Sequence, residues 1–432
     1  MAEAAPVIVI YGVTGDLSKR RLLPALYHLV SQGLLPEATK IIGVSRQPLS
    51  VDTLLGTVEL CVLEKDNVCD PAGLKKLRAA LDTIQIQPTS PGDYAKLASL
   101  LDSLDNSRRL FYMSVPSASY QPIIENLAKA GLNDQRSRLL LEKPFGYSLS
   151  SAQDLINLVD AHFEENQIYR IDHYLAKATA QSLLSFRSDN PGLAKLWNAQ
   201  HIKSVRIKAN EMIGIEGRVN FYEQTGALRD FVQSHLMQLL AITMMDLPDD
   251  MHSAAIHESK QQFFKQLIPA DPSRAERGQY QGYRQEVGND KSSVETYVLL
   301  HLRSNSPDWQ ATDMILETGK ALAKKTTDIT VEFNQQLDHD VISQVKPGPG
   351  ISLDASSGHT LLHFDYDHIA EDRQQLDAYE RVLLDAVRGD QSLFASDKDV
   401  IETWRVLQPL LDAWQDNDQA LTIYKKGSEG PK

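Results

Sequence analysis

Cysteine is nearly absent: Cys61 and Cys69 are the only two in 432 residues, too few for a disulfide framework and without the second pair that a zinc site needs. That scarcity fits a reducing compartment, and a cytoplasmic location is expected. Long apolar runs are missing as well. Neither a membrane span nor a signal-peptide core is expected, and Met1 to Pro6 carries no basic leader before the first short apolar stretch. Positive charge is in deficit, with 44 Lys and Arg against 57 Asp and Glu and a formal net charge of -13. This disfavours a general nucleic-acid binder and confines any basic site to a small anion. No internal repeat or low-complexity block interrupts the chain. What remains is enough sequence for two or three domains with substantial cores, whose partners are small molecules rather than nucleic acid or membrane.

The run Val7-Ile-Val-Ile-Tyr11 is continuously apolar, as expected of a parallel strand buried on both faces. It leads straight into Gly12-Val-Thr-Gly15, then Asp16-Leu-Ser-Lys-Arg-Arg21 and an apolar, helix-like stretch from Leu22 to Val30. Strand, glycine turn and helix start are the order that receives a pyrophosphate, although a G-x-x-G spacing is also met in a purely structural turn. A second strand, Lys40 to Val44, ends in Ser45-Arg46, where an NAD enzyme would carry a carboxylate. Arg46, with Lys19, Arg20 and Arg21 nearby, favours a 2′-phosphate and hence NADP, while a solvated surface arginine reads the same way. Strand-like runs at Arg109 to Val115 and Arg138 to Glu142 alternate with helical patterns and complete an α/β Rossmann-like N-terminal domain. Lys143 follows the last of these, at the carboxyl edge where ligands bind in open sheets.

The segment Arg170-Ile-Asp-His-Tyr-Leu-Ala-Lys177 packs a carboxylate, an imidazole, a phenol and an ammonium into eight residues. A helix beginning near Asp172 would set His173 and Lys177 one turn apart at the positive end of its dipole, although a capped helix with solvated charges is as good a reading. Beyond Lys177, strands follow one another with few intervening helices: Ser204 to Asn210, Val294 to Arg303, Asp313 to Leu316, Ile329 to Phe333 and His359 to Tyr366. The expected architecture is a C-terminal α+β domain on a largely antiparallel sheet with helices on one face, and a boundary between 1–172 and 173–432. Residues 248–289 read as a helix and then a long surface loop around Gly278 to Tyr283. A helix from Gly226 to Leu240 carries His235 on its apolar stripe of Val232, Leu236 and Leu239, a position more often taken by a buried, hydrogen-bonded core histidine than by a base; Asp230 reads as a carboxylate near a helix start.

Taken in order, these segments resemble the glucose-6-phosphate dehydrogenase family. The resemblance rests on Gly12 to Tyr27, Glu142-Lys-Pro-Phe-Gly146, Arg170 to Lys177, Gly214 to Leu240, Thr318-Gly-Lys-Ala-Leu322 with Lys325, and Tyr379-Glu-Arg-Val-Leu-Leu-Asp385 with Gly389-Asp390 and Leu393-Phe394 after it. It spans almost the whole chain.

The resemblance implies oxidation of glucose 6-phosphate at C1 with NADP, some members also accepting NAD, and no metal. His235 would be the general base and Asp172 its orienting carboxylate. His173, Tyr174, Lys177 and Lys325 would hold the sugar phosphate, Lys320 would face the sugar, and Glu211 and Asp230 would accept from its hydroxyls. Gly12, Thr14, Gly15, Asp16, Leu17, Lys19, Arg20 and Arg46 would contact the cofactor, with Lys143 between cofactor and substrate. A homodimer or dimer of dimers is implied in the same way. The chain departs from the family at Ala176, Ala178 and Ser234, and places Asp308 and Glu317 where arginine is usual. It is also shorter than typical members, which puts sheet-mediated oligomer contacts and any additional structural NADP site in doubt. The two charge reversals motivate a dehydrogenase of another aldose or aldose phosphate as one alternative, and a non-catalytic NADP-binding regulator is a second.

Overall fold

Strand β1 (Val7–Tyr11) is buried along its whole length, which only a sheet covered on both faces provides. The computed structural model describes residues 5–63, 69–104, 108–176, 178–348, 350–356, 358–365, 376–416 and 421–431. In it, β1 is flanked in parallel by β2 (Lys40–Ser45), then β3 (Leu81–Gln85), on one side and by β4 (Arg109–Met113), β5 (Ser137–Leu141) and β6 (Ile168–Ile171) on the other. A two-residue strand, β14 (Phe394–Ala395), closes the far edge antiparallel to β6, giving the order β14-β6-β5-β4-β1-β2-β3. This is the doubly wound order in which the crossover direction reverses between β1 and β4.

The second sheet holds β7 (Ile202–Asn210), β8 (Ala275–Tyr280), β9 (Tyr297–Leu302), β10 (Asp313–Gly319), β11 (Thr326–Phe333), β12 (Ile351–Asp354), β13 (Leu361–Asp365) and β15 (Thr422–Tyr424). Their order is β12-β13-β11-β7-β10-β9-β8-β15, antiparallel except for the pairs β7 with β10 and β8 with β15. Burial alternates along β11, where Thr327, Ile329, Val331 and Phe333 are buried and the residues between them are partly exposed. That period of two marks one packed face, and helix 228–236 lies against β7, β9 and β10.

Three expectations change. Residues 275–280 are not a surface loop but strand β8, with Gly278, Gln279 and Tyr280 buried. Their polar composition hides a strand paired on both sides, and a Cβ on Gly278 would come within 3.0 Å of the Thr422 carbonyl. No helix starts near Asp172. The Asp172 Oδ1 accepts the Tyr174 N–H at 2.8 Å and the Asp172 carbonyl accepts the Ala176 N–H at 3.2 Å, so the chain makes a side-chain-capped turn, and the helix begins at Ala178. Lys177 lies outside the described residues, as does Tyr366 at the end of the last expected strand. The helix expected from Gly226 instead breaks there, at φ 62°, and resumes as a π-helix over Leu228–Leu236 followed by an α-helix over Met237–Met244.

Where a single boundary after residue 172 is expected, the described residues group into two compact units that alternate along the chain. The first compact unit takes the described residues within 1–143, 154–176 and 376–396, and the second takes those within 144–153, 178–365 and 397–431. The late segment belongs to the first unit because β14 pairs with β6 and helix Ala378–Arg388 buries Val382, Leu383 and Ala386 in the core formed by β1 and helix Leu23–Ser31.

On that returning helix, Asp385 lies 3.3 Å from Arg381 Nε. Burial, only partly offset by Arg381, pushes its carboxyl up to about 6. An acid whose folded value exceeds its unfolded one opposes folding once the unfolded form ionises, and opposes it fully above the folded value. Asp385→Asn should therefore stabilise the protein at pH 7 to 8 and lose that gain as pH falls toward about 4. Urea midpoints of parent and variant across this range check it, and a pH-independent difference counts against it.

Candidate active site

In the first unit, the carboxyl ends of β1, β2 and β4 open on a cleft of about 330 Å³ lined by Gly12, Thr14, Gly15, Ser45, Arg46 and Ser114, among others. It lies at the switch point between β1 and β4, the ligand position of doubly wound sheets. Gly12 has φ +77°, and a Cβ there would meet the Ser114 carbonyl at 2.2 Å, so only glycine lets the turn come this close to the strand beyond it. Ser18 locks the turn, its Oγ reaching the Gly12 carbonyl and Ser114 Oγ at 3.0 Å each. The Lys19 N–H bonds the Gly15 carbonyl at 3.0 Å, so the helix winds directly out of the turn. This glycine-shaped cradle before a helix start fits a dinucleotide diphosphate. Arg46 is exposed at the rim. Asp16, Leu17, Lys19 and Arg20 sit on the following turn and do not line the cleft, and Arg20 Nε is paired with Asp16 at 2.7 Å on the exposed surface.

The Asp172–Ala176 turn carries the other candidates of this unit. His173 Nε2 lies 3.2 Å from Glu142 Oε2, and the Tyr112 hydroxyl donates to Glu142 Oε1 at 2.5 Å. Tyr379, from the returning helix, packs on the His173 ring at 4.1 Å between centroids. Burial alone pushes the Glu142 carboxyl up, but His173, Tyr112 and Lys143 outweigh it and hold the group below the usual carboxylate range. Tyr174 and Lys143 are partly exposed beside this cluster. Tyr112 and Tyr379 were missed by sequence reasoning. Nothing local in an amphipathic helix marks Tyr379 as a residue that closes on a histidine some 200 positions away, and nothing in an apolar strand marks Tyr112 as the partner of Glu142.

In the second unit, Gly319 of β10 stands opposite Asn210 of β7 in the parallel register, so the residues that follow, Lys320 and Glu211, emerge side by side. The Glu211 N–H bonds the Gly319 carbonyl at 2.8 Å, and Lys320 Nζ makes an ion pair with Glu211 Oε2. The ammonium also lies 5.4 Å above the Tyr222 ring. Lys325 is exposed after the strand. Asp230 and His235 are both buried on helix 228–236, the His235 ring set edge-on to Phe231 at 5.2 Å. Burial raises the Tyr222 hydroxyl well above its usual range, and the negative charges of Asp230, Glu295 and Glu211 add to it. Glu317 is not a free charge: it bonds Arg206 at 3.0 Å, Lys208 at 3.4 Å and Asn210 at 3.3 Å. Asp308 is exposed in a turn, its carbonyl accepting the Ala199 N–H at 2.7 Å.

Comparison with known proteins matches both parts of the chain. A sequence model described as the glucose-6-phosphate dehydrogenase NAD binding domain covers residues 9–182, and one described as the C-terminal domain of the same enzyme covers 184–432. The glucose-6-phosphate 1-dehydrogenase of Chlamydia muridarum is 35% identical, over 99% of this chain and 94% of its own. That of Mycolicibacterium smegmatis is 34% identical, over 98% and 94%. The crystal structure of the Mycobacterium avium enzyme superposes with a TM-score of 0.84 at 33% identity, covering 99% of this chain and 96% of that one. A glucose-6-phosphate dehydrogenase in complex with its substrate glucose-6-phosphate gives 0.87 at 26%, covering 100% and 97%.

If the Gly12 turn is the dinucleotide cradle, Gly12→Ala should weaken NADP binding by at least about tenfold, because the added carbon forces the turn off the Ser114 carbonyl. Fluorescence titration of the folded variant reads this, and a dissociation constant within twofold of the parent would contradict it.

Proposed function

The chain belongs to the glucose-6-phosphate dehydrogenase family, and on that premise we propose that it oxidises β-D-glucose 6-phosphate at C1 to 6-phospho-D-glucono-1,5-lactone with NADP. The observation that carries this reading is a match running the length of both domains to enzymes of that one activity. The location of Gly12, Glu211 and Lys320 at carboxyl ends of parallel strands supports it.

When bound, the nicotinamide would supply the hydride acceptor for C1. His235 takes the proton of the C1 hydroxyl, and its buried position limits competition from water. Asp172 orients the imidazole in this proposal, and the Tyr174 N–H on its Oδ1 supports a fixed carboxylate. His173, Tyr174, Lys177 and Lys325 hold the phosphate. Glu211 and Asp230 accept from sugar hydroxyls, and Lys320, paired with Glu211, faces the sugar beside it. Arg46 takes the 2′-phosphate of the cofactor, which favours NADP over NAD, and Gly12, Thr14, Gly15, Asp16, Leu17, Lys19 and Arg20 supply the other cofactor contacts in this proposal. Lys143 bridges cofactor and sugar. The enzyme works in the cytoplasm as a homodimer or dimer of dimers in this proposal. Glu317, already neutralised by Arg206 and Lys208, gives no support to a different sugar.

Two variants test the assignment against nicotinamide absorbance. His235→Asn should lower kcat on glucose 6-phosphate by about 10²- to 10⁴-fold while leaving NADP binding intact, as expected on loss of a general base. A parent with no turnover would instead support the binding-protein alternative. Arg46→Ala should raise the KM for NADP by about tenfold or more and leave that for NAD nearly unchanged, since only NADP loses a charge-assisted bond; equal effects on both cofactors would remove Arg46 from the 2′-phosphate site.

A further inference from the structure

Glu295 is a buried carboxylate that the chemistry above does not use, and it touches the start of the helix on which that chemistry depends. Its Oε1 accepts the Leu228 N–H at 2.9 Å, and its carbonyl accepts the Ala227 N–H at 3.0 Å. One residue therefore satisfies two of the donors that the beginning of helix 228–236 leaves without partners. Gly226 makes the approach feasible. A Cβ there would stand 2.3 Å from Glu295 Oε1 and 2.8 Å from Oε2, and its backbone, at φ 62° and ψ -177°, is one that only glycine adopts without strain. Asp230 follows two residues after Leu228 and His235 seven after it.

The neighbour of Glu295 extends the same clamp. Thr296 accepts the Lys320 N–H on its carbonyl at 2.9 Å, and its own N–H bonds the Gly278 carbonyl at 2.8 Å. The dipeptide Glu295-Thr296 thus ties the helix of Asp230 and His235 to the strand end of Lys320, all within the second unit. The carboxyl itself is pushed up by burial, offset in part by the Leu228 N–H, its own N–H, Arg229 and Arg277. Further along, Gln233 reaches Thr403 at 2.9 Å, and Gln238 accepts from Lys260 at 3.0 Å while Lys260 pairs with Asp399 at 2.7 Å, so the rest of the helix is held by separate contacts.

We propose that Glu295 is a positioning residue for the dehydrogenase reaction, acting through Leu228 and Gly226 to set where Asp230 and His235 stand relative to Lys320 and Glu211. It touches no substrate. The inference rests on the assignment of His235 as base, and its experiment separates the two. Glu295→Ala and Glu295→Gln are compared with the parent by steady-state kinetics, NADP titration, thermal melting and the NMR resonance of the His235 ring.

Loss of the carboxylate should lower kcat by about 100-fold, the cost of a misplacement near 1 Å, with NADP affinity within twofold of the parent. Glu295→Gln keeps an acceptor for the Leu228 N–H and should recover most of that loss. The His235 resonance should move in the alanine variant and return toward the parent position in the glutamine variant. A Glu295→Ala enzyme that melts earlier yet keeps kcat within twofold, or an unmoved His235 resonance, overturns the proposal. A parent without turnover on glucose 6-phosphate overturns the functional reading alone, and the resonance then decides this one.

Discussion

Parallel pairing of β7 with β10 brings two carboxyl ends side by side, and the candidate chemistry of the second unit depends on that register. Parallel neighbours cannot be joined by a tight turn, so the chain between Asn210 and Asp313 must travel back across the sheet. It uses that journey to lay down helix 228–236 against β7, β9 and β10, and this helix carries Asp230 and His235. A slip of β10 by one residue would send Glu317 to the packed face, away from Arg206 and Lys208 on β7, and would separate Glu211 from Lys320. The ion network that Arg206 and Lys208 make around the buried Glu317 therefore discriminates against the wrong register as well as satisfying that carboxylate.

Charge buried away from water recurs in this unit, and in each instance it fixes geometry. Lys260 and Asp399 are fully buried 2.7 Å apart, and Lys260 also donates to Gln238 at 3.0 Å. Pairs of this kind contribute little net stability compared with an apolar substitute, because both ions must be desolvated, yet removing one partner alone is severe. Their benefit is directional: Gln238 lies one turn beyond His235 and is held by an ammonium that Asp399 fixes in place.

The parts of the fold that were legible in the sequence are those where apolar composition and backbone role coincide. Val7 to Tyr11 followed by Gly12 announced a buried strand and a tight turn because both faces of β1 are covered and no side chain fits at residue 12. Strand β8 was illegible because Glu276, Arg277 and Gln279 are polar and its membership of the sheet comes from backbone pairing with β9 and β15. Asp172 misled because an aspartate that caps a turn and one that caps a helix accept the same N–H groups over the first few residues. Of the candidate residues, Glu211, Lys320, Asp230 and His235 were named from motif alone, whereas Tyr112, Glu142 and Tyr379 assemble around His173 through contacts that no local pattern encodes.

The return of residues 376–396 to the first sheet also orders the events of synthesis. Helix 378–388 and β14 cover Leu23, Leu26 and Tyr169, which belong to elements made hundreds of residues earlier. A nascent chain leaving the ribosome therefore holds an open apolar face on its nucleotide-binding half until nearly all of the other half has emerged. The first half therefore completes its core only after most of the second has been made, unlike a chain whose domains are each contiguous. The two halves mature together, and a ribosome that stalls before Phe394 releases a chain in which neither half is finished.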